Sequence, residues 1–176
     1  RWIMSRSVLV VGGGGREHAL CRALSQSDSI ADVHVTPGNA GTVNYATNHS
    51  ISASDVDGLV ALSETLAVDF VVVGPEAPLC DSLADVLIEH GIPCFGPQAM
   101  HAELEGSKRF AKEAMHRAGV PTADYLVLDL SSDIESALDS YSDNPWVIKR
   151  DVLAGGKGVV VTTDLQEAIA FINESI

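Results

Sequence analysis

The residues with the clearest chemical potential lie in a glycine-rich stretch near the amino terminus. The apolar run Val8 to Val11 leads into four glycines, Gly12 to Gly15, and Arg16 follows them. A glycine-rich turn from strand to helix offers free N–H groups and the positive end of a helix dipole to an anion, most often a phosphate. An arginine adds a charged fork. We therefore predict that Gly13, Gly14, Gly15 and Arg16 bind a ligand, with a tight turn that binds nothing as the alternative.

This stretch does not contain the dinucleotide-binding fingerprint G-x-G-x-x-G. The third glycine would fall at Glu17 if the motif began at Gly12, and at His18 if it began at Gly13. The acidic residue that holds a ribose hydroxyl after the second strand is also missing, because that strand ends at Thr36 and Pro37. The pattern disfavours a nicotinamide-dependent oxidoreductase.

A second glycine cluster, Gly155, Gly156 and Gly158 with Lys157, lies between two valine-rich stretches. It is not a P-loop, which needs Ser or Thr after the lysine and a glycine at Asp151. The pattern predicts a hairpin that covers the phosphates of a nucleotide, with Lys157 as a mobile positive charge. Lys149 follows apolar residues in a strand, where burial of its charge is costly unless an anion is bound. The alternative is a solvated lysine at a strand end.

A third candidate follows the buried stretch Val71 to Val73. Gly74, Pro75 and Glu76 come just past the carboxyl end of this strand, where open α/β sheets place their ligands. Prolines on both sides restrict the backbone of Glu76, so its carboxylate would be held for an amine or a sugar hydroxyl. The alternative is a charge that offsets the dipole of the following helix.

Other reactive side chains form no recognisable site. The sequence shows neither metal-ligand spacing nor a partner motif for five histidines: His34, His49, His90, His101 and His116. The three cysteines sit in apolar contexts without a C-x-x-C pair and are expected to be reduced core thiols: Cys21, Cys80 and Cys94.

Strands and amphipathic helices alternate over residues 7–97, which predicts an open, parallel α/β sheet. The predicted strands are Val8–Val11, Val33–Thr36, Phe70–Val73 and Pro93–Phe95. The predicted helices are Glu17–Gln26, Asp55–Leu66 with Ser54 as N-cap, and Asp81–His90.

The pattern changes after residue 98. Residues 98–121 form a predicted helical linker with a break at Glu105–Ser107, where Ser107 caps the next helix. Residues 122–176 then predict the strands Tyr125–Leu128, Trp146–Lys149 and Gly158–Thr162, with helices Ser132–Tyr141 and Leu165–Glu174. These elements are too few to cover a sheet, so we expect the polypeptide to be a fragment.

Composition excludes several classes of partner. The 176 residues include 11 basic and 24 acidic side chains, for a net charge of −13, and the basic residues do not cluster. Nucleic acid and anionic membranes are therefore poor partners. No apolar run approaches the roughly 20 residues of a membrane span, and the first residues lack the apolar core of a signal peptide, so a cytoplasmic location is expected.

Seven motifs resemble, in order and spacing, the amino-terminal part of the phosphoribosylamine–glycine ligase (glycinamide ribonucleotide synthetase) family. They are G-G-G-G-R-E-H-A-L, P-G-N-A-G-T, V-V-V-G-P-E-A-P-L, F-G-P, S-K-R-F-A-K, G-V-P-T-A and K-R-D-V-L-A-G-G-K-G-V-V-V. The resemblance covers nearly the whole chain. It implies a Rossmann-like amino-terminal domain, the start of an ATP-grasp domain, and a purine-biosynthetic ligase that joins glycine to 5-phosphoribosylamine with ATP and Mg²⁺.

The resemblance also implies roles for particular residues. The phosphoribosyl substrate would lie against Gly13–Arg16, against Asn39, Ala40, Gly41 and Thr42, and against Gly74–Glu76. Lys108 and Lys149 look like the two lysines of the family that bind ATP phosphates, and Gly155 to Gly158 look like its phosphate-covering loop. The Mg²⁺ ligands, and further domains, would lie beyond Ile176.

Two residues depart from the family pattern. Arg150 replaces a small residue and would add bulk and charge beside the nucleotide, and Val152 replaces a glycine, which disfavours a positive φ there. Two further readings stay open: a non-catalytic nucleotide- or phosphoribosyl-binding module, and a related ATP-grasp carboxylase. The chain alone is expected to be inactive.

Overall fold

The computed structural model describes residues 5–141, 145–153 and 158–176. The chain divides into two compact units, Arg1–Glu103 and Leu104–Ile176. Within the described ranges, no helix combines the length and apolar character needed to cross a membrane.

The first unit is an open parallel sheet flanked by helices. In chain order its elements are β1 (Arg6–Gly12), α1 (Gly15–Ser25), β2 (Ile30–Pro37), a 3-10 turn (Thr42–Asn44), β3 (Thr47–Asn48), α2 (Val56–Thr65), β4 (Phe70–Val73), α3 (Ala77–Cys80), α4 (Leu83–Glu89) and β5 (Cys94–Phe95). The strand order is β3-β2-β1-β4-β5, and each neighbouring pair is parallel. The predicted α/β architecture of this unit is confirmed.

The valine-rich strands form this sheet because both of its faces are covered. On one face, Val8 and Val10 pack with Cys21 of α1. On the other face, Leu9 and Val11 join a larger core that includes Leu59, Leu83 and Leu87. A strand buried on both faces reads as a continuous apolar run, which is what Val8 to Val11 shows.

Two helix predictions need correction. Asp55, not Ser54, caps α2: its carboxylate accepts a hydrogen bond from the Gly58 N–H at 2.9 Å. The single helix predicted over 81–90 is a shorter α4 that begins at Leu83 after the separate helix α3. Ser82 separates them with a φ of 68°, a left-handed backbone that a continuous helix does not allow.

Helix α5 (Ala99–Gly106) spans the division between the units, and α6 (Lys108–Arg117) follows it. The break predicted between these helices is confirmed, because Ser107 caps α6 by accepting a hydrogen bond from the Phe110 N–H at 3.0 Å.

The remaining elements of the second unit are α7 (Ile134–Ser140), β6 (Trp146–Lys149), β7 (Val159–Thr162) and α8 (Leu165–Asn173). β6 and β7 pair antiparallel, and one face of this pair packs on the helices around the buried residues Leu138, Ala168 and Ile172.

The predicted strand Tyr125–Leu128 is wrong. The structure assigns no strand there, and Leu126 and Val127 are about half exposed. The preceding residues are held by a side chain instead, because the Lys112 ammonium donates to Thr122 Oγ1 at 2.7 Å and to the Ala123 carbonyl at 2.6 Å.

Candidate functional site

Three of the predicted loops meet at the carboxyl edge of the first sheet. They follow β1, β2 and β4, which are neighbours in the strand order. This edge includes the point where the strand order reverses, between β1 and β4, and open α/β sheets bind ligands there. We call the loops 12–16, 37–42 and 74–76 together the carboxyl-edge loops.

Hydrogen bonds tie the first two loops together. The Gly38 N–H donates to the Gly12 carbonyl at 3.1 Å. The Asn39 amide donates to the carbonyls of Gly13 and Gly14 at 3.0 and 3.3 Å. A Cβ on Gly13 would lie 2.7 Å from the carbonyl oxygen of Gly38, so the close approach of these two backbones requires glycine there.

Asn39 and Thr42 also hold their own turn in place. The side-chain oxygen of Asn39 accepts hydrogen bonds from the N–H groups of Gly41 and Thr42, at 2.7 and 3.2 Å. The Thr42 hydroxyl is fully buried, accepts from the Asn39 N–H at 2.9 Å, and lies 2.9 Å from Asn48 Oδ1. The structure therefore gives these two predicted ligand residues a supporting role, while Ala40 lies exposed between them.

Glu17 is the residue that the sequence analysis missed. Its side chain is only 4% exposed, and its carboxylate accepts a hydrogen bond from the Gly14 N–H at 2.5 Å. A Cβ on Gly74 would lie 1.9 Å from one oxygen of this carboxylate, and a Cβ on Gly12 would lie 2.7 Å from its carbon. Glycine is therefore required at two positions far apart in sequence because one side chain fills the space between them.

The signal for Glu17 was present in the sequence. A glutamate at the third position of a helix reaches back to the N–H of the N-cap residue, which is one half of a capping box. Burial, and to a smaller extent the neighbouring Glu17 carboxylate, raise the pKa of the Cys21 thiol to about 11.

The charge of Glu17 changes what the turn can bind. No described residue accepts a hydrogen bond from the N–H groups of Gly15 and Arg16, so these two donors face a ligand or solvent. The carboxylate of Glu17 opposes an anion beside Gly14, because like charges repel. An anion would therefore be held by the outer donors, at Gly15 and Arg16, rather than deep in the turn.

Arg16 and Glu76 are the accessible charged groups of the carboxyl-edge loops. The Arg16 guanidinium donates to the Gly74 carbonyl and lies 4.0 Å from a carboxylate oxygen of Glu76. Their side chains are 65% and 43% exposed, so solvent screens the pair and either group can exchange its partner for a ligand. Pro75 precedes Glu76, which is the N-cap residue of α3.

The predicted nucleotide residues belong to the second unit. Lys149 ends β6 on an exposed face, and the Lys108 ammonium donates to the Val152 carbonyl at 2.9 Å. Gly158 is buried, and its carbonyl accepts from the Arg150 N–H at 2.8 Å. Gly155, Gly156 and Lys157 lie outside the described residues.

Arg150 lies away from the face that carries Lys149. Its Nε donates to Ser175 Oγ at 3.0 Å, and its guanidinium carbon lies 5.2 Å from the centre of the Phe171 ring on α8. Successive residues of a strand alternate between faces, so Arg150 shares the helix-covered side with Ile148. Arg150 and Lys149 therefore lie on opposite faces at this end of β6.

In the part of the chain that the structure describes, no group of three or more His, Cys, Asp or Glu side chains could hold a metal ion.

Comparison with known proteins places both units. Residues 6–105 match the family Phosphoribosylglycinamide synthetase, N domain, and residues 106–176 match Phosphoribosylglycinamide synthetase, ATP-grasp (A) domain. The phosphoribosylamine–glycine ligase of Streptomyces coelicolor is 49% identical over 166 residues, which cover 94% of this chain and 40% of that protein. The chain thus spans about two fifths of the length of the curated relatives it matches.

Solved structures agree with this result. The phosphoribosylamine–glycine ligase of Thermotoga maritima is 32% identical, with a TM-score of 0.71 over 96% of this chain and 38% of that chain. The biotin carboxylase domain of the Hydrogenobacter thermophilus 2-oxoglutarate carboxylase, solved with MgADP, ADP and bicarbonate, has a TM-score of 0.75 at 22% identity, over 98% of this chain and 40% of that chain. This second likeness shows the fold alone.

Proposed function

The chain belongs to the phosphoribosylglycinamide synthetase family, and from that premise we propose that it is the amino-terminal part of a phosphoribosylamine–glycine ligase. The complete enzyme would join glycine to 5-phosphoribosylamine and release glycinamide ribonucleotide, ADP and phosphate. A carboxylate oxygen of glycine attacks the γ-phosphorus of ATP and ADP leaves. The amine then attacks the acyl phosphate, loses a proton, and displaces phosphate.

The observation that carries this proposal is the convergence of the three carboxyl-edge loops around Arg16 and Glu76. Together they offer a positive charge, a negative charge and free N–H groups at one sheet edge. This combination suits a ligand that carries an anion together with an amine or hydroxyl groups. Arg16, with the N–H groups of Gly15 and Arg16, would bind the anionic part, and Glu76 would accept hydrogen bonds from the amine or ribose hydroxyls.

In the second unit, Lys108 and Lys149 would neutralise phosphate charge on ATP. Phosphoryl transfer depends mainly on such positioning and charge stabilisation, with little covalent chemistry by the protein. Gly155, Gly156, Lys157 and Gly158 remain proposed ATP contacts. Mg²⁺ would be supplied with the nucleotide, and its protein ligands would come from a part of the enzyme outside this chain.

The remaining sequence predictions stay proposals. Residues 7–97 would form the substrate-binding domain, 98–121 a helical linker, and 122–176 the first part of an ATP-grasp domain. The predicted partners are small molecules together with the further domains of a longer polypeptide, and the predicted location is the cytoplasm.

The test is ADP release from Mg·ATP with phosphoribosylamine generated in the assay, with glycine, with bicarbonate, or with neither. It is run on this chain and on the polypeptide extended to the length of its relatives. We expect glycine-dependent release from the extended polypeptide alone. Bicarbonate dependence would favour a carboxylase, and ligand binding without ADP release from either form would favour a non-catalytic module.

Paired variants test the site. Arg16→Ala should raise the KM for phosphoribosylamine at least about tenfold, the loss expected when one charge-assisted contact is removed. Arg22→Ala, an exposed arginine on the same helix α1, should leave this KM within about twofold. Glu76→Gln and the exposed Glu64→Gln form a second pair. Equal effects within both pairs would contradict the proposed substrate edge.

A further inference from the structure

We propose that Asp151 is a positioning residue that sets the placement of Lys108 relative to the end of β6, and so relative to Lys149. This inference rests on the proposed function, because it assumes that the two lysines bind one nucleotide. The supporting contacts all lie within the second unit.

Asp151 binds the start of α6 from a distant part of the chain. One of its carboxylate oxygens accepts a hydrogen bond from the Arg109 N–H at 3.1 Å. The Ser107 hydroxyl lies 3.1 and 3.2 Å from the two oxygens, and donates to this carboxylate. A carboxylate at a helix amino terminus also interacts favourably with the helix dipole.

Helix α6 does not need Asp151 in order to begin. Ser107 already caps it locally, through the hydrogen bond from the Phe110 N–H. The other aspartate caps in this unit are local: Asp133 accepts from the Ser136 N–H of α7, and Asp164 accepts from the first turn of α8. Asp151 differs because its hydrogen bond joins two segments 42 residues apart. This contact therefore cross-links the start of α6 to the segment after β6, and α6 does not depend on it for its capping.

Each end of this cross-link is close in sequence to one of the two candidate lysines. Lys108 immediately precedes Arg109, whose N–H Asp151 accepts, and Lys149 lies two residues before Asp151. A second link runs in parallel, from the Lys108 ammonium to the Val152 carbonyl at 2.9 Å. Arg150, which lies between Lys149 and Asp151, is also held in place. Its N–H donates to the Gly158 carbonyl, and its guanidinium packs on the Phe171 ring.

This arrangement has a physical purpose. Two ammonium groups that share one polyphosphate repel each other until the nucleotide arrives, and each lysine side chain has many rotamers. A fixed spacing between their backbones lowers the cost of bringing both to the same ligand. Asp151 is exposed, so it contributes more to this spacing than to the stability of the fold.

The experiment uses the extended polypeptide, with Asp151→Ala, Asp151→Asn and the matched control Asp133→Ala. We measure kcat and the KM values for ATP and glycine, together with the thermal midpoint. Asp151→Ala should lower kcat/KM for ATP by about 10- to 100-fold, the cost of a misplacement on the order of 1 Å. Its KM for glycine should stay within about twofold, because the spacing of two ATP-binding lysines does not enter glycine binding.

The two remaining variants separate positioning from stability. Asp133→Ala should lower the thermal midpoint without changing the KM for ATP. Asp151→Asn keeps an oxygen acceptor for the Arg109 N–H and should recover most of the ATP efficiency. In Asp151→Ala, hydrogen exchange at the Arg109 amide should accelerate while the rest of α6 stays protected.

Each outcome has one meaning. If the wild-type polypeptide shows no glycine-dependent ADP release, the proposed function fails and the inference fails with it. If the wild type is active and Asp151→Ala leaves kcat/KM for ATP unchanged, or raises the KM values for ATP and glycine equally, the inference alone is wrong. If Asp151→Ala does not fold, Asp151→Leu takes its place, because leucine has a similar shape but cannot accept a hydrogen bond from the Arg109 N–H, and the same outcomes then decide.

Discussion

The candidate site of the first unit consists mainly of backbone groups, whereas that of the second consists mainly of long side chains. At the carboxyl edge of the first unit, glycine backbones approach one another closely, and buried polar side chains such as Glu17 and Thr42 hold them. In the second unit, the candidate groups are long side chains on an exposed strand and at a helix start. Close packing tolerates little change in volume, whereas tethered exposed side chains tolerate more.

The cores differ in the same way. The first unit buries two apolar clusters, one on each face of its sheet. The second buries one small cluster on one face of a two-stranded sheet, and Val147 and Val161 on the other face are 54% and 60% exposed. A site made of precisely spaced backbones requires a rigid base, and the first unit provides one by covering both faces of its sheet.

The largest expected effect comes from cavities in the two cores. Leu87→Ala, at a fully buried position of the first unit, should cost about 4 kcal/mol, and Leu138→Ala in the second about 2 kcal/mol, because a small core collapses more easily around the gap. Hydrogen exchange at the amides of β4 measures the stability of the first unit, and exchange at the amides of β6 measures that of the second. Leu126→Ala, at a half-exposed position, is the control. Equal losses at Leu87 and Leu138 would remove the difference between the cores.

Gly74→Ala should have the next largest effect. Its Cβ would overlap the Glu17 carboxylate, and we expect a loss of about 3 kcal/mol in the free energy of unfolding. Gly15→Ala, where a Cβ meets no atom within 4 Å, should change stability by less than about 1 kcal/mol. Urea unfolding measures both.

A double variant identifies the cause of that loss. If Glu17 causes it, Gly74→Ala should cost less in a Glu17→Ala background than alone, a coupling that a double-mutant cycle measures. Additive losses would mean that Glu17 does not explain the requirement for glycine at this position.

Acid pH should weaken the first unit before the second. Burial and the neighbouring His34 lower the pKa of His49 below its usual 6.5. His34 Nδ1 lies 3.1 Å from His49 Nε2. As the pH falls through 6.5, the unfolded chain therefore takes up a proton before the folded protein does, and the free energy of unfolding decreases. One proton contributes at most about 1.4 kcal/mol per pH unit.

The variant His49→Gln should flatten this pH dependence in the exchange of β2 amides, since it removes the titrating group. His101→Gln, an exposed position on α5, should not. The prediction is wrong if the wild type and His49→Gln lose the same stability between pH 7.5 and pH 5.5, a range of about one unit on either side of the ordinary histidine pKa.

The smallest effect is expected on the exposed face of the second unit. Val161→Thr should change the free energy of unfolding by less than about 0.5 kcal/mol, because this side chain has little apolar area to lose from a core. Thermal unfolding of this chain measures it. A loss above about 1 kcal/mol would show that this face is covered in solution, and the contrast between the two units would then be smaller.

Much of the fold was predictable from local patterns. Continuous valine runs predicted the parallel strands, because burial on both faces selects apolar residues throughout. The helix break at Ser107 was predictable, since a capping hydroxyl acts within one turn. Strand alternation also predicts the face on which the Arg150 side chain lies, because residues 148 and 150 are two apart and therefore share a face. The strand predicted at Tyr125–Leu128 failed because a β-branched, aromatic stretch forms a strand only where a partner is present.

The amino-acid sequence by itself determined most of the elements that form, which turns contain glycine, and to which family the chain belongs. Those features depend on neighbours within a few residues, or on motifs in a fixed order. Only the tertiary structure showed that Glu17 fills the space beside Gly74, and that Asp151 reaches the start of α6. These contacts join residues 57 and 42 positions apart, and no local propensity determines them, because they exist only once the chain has folded and brought the two segments together.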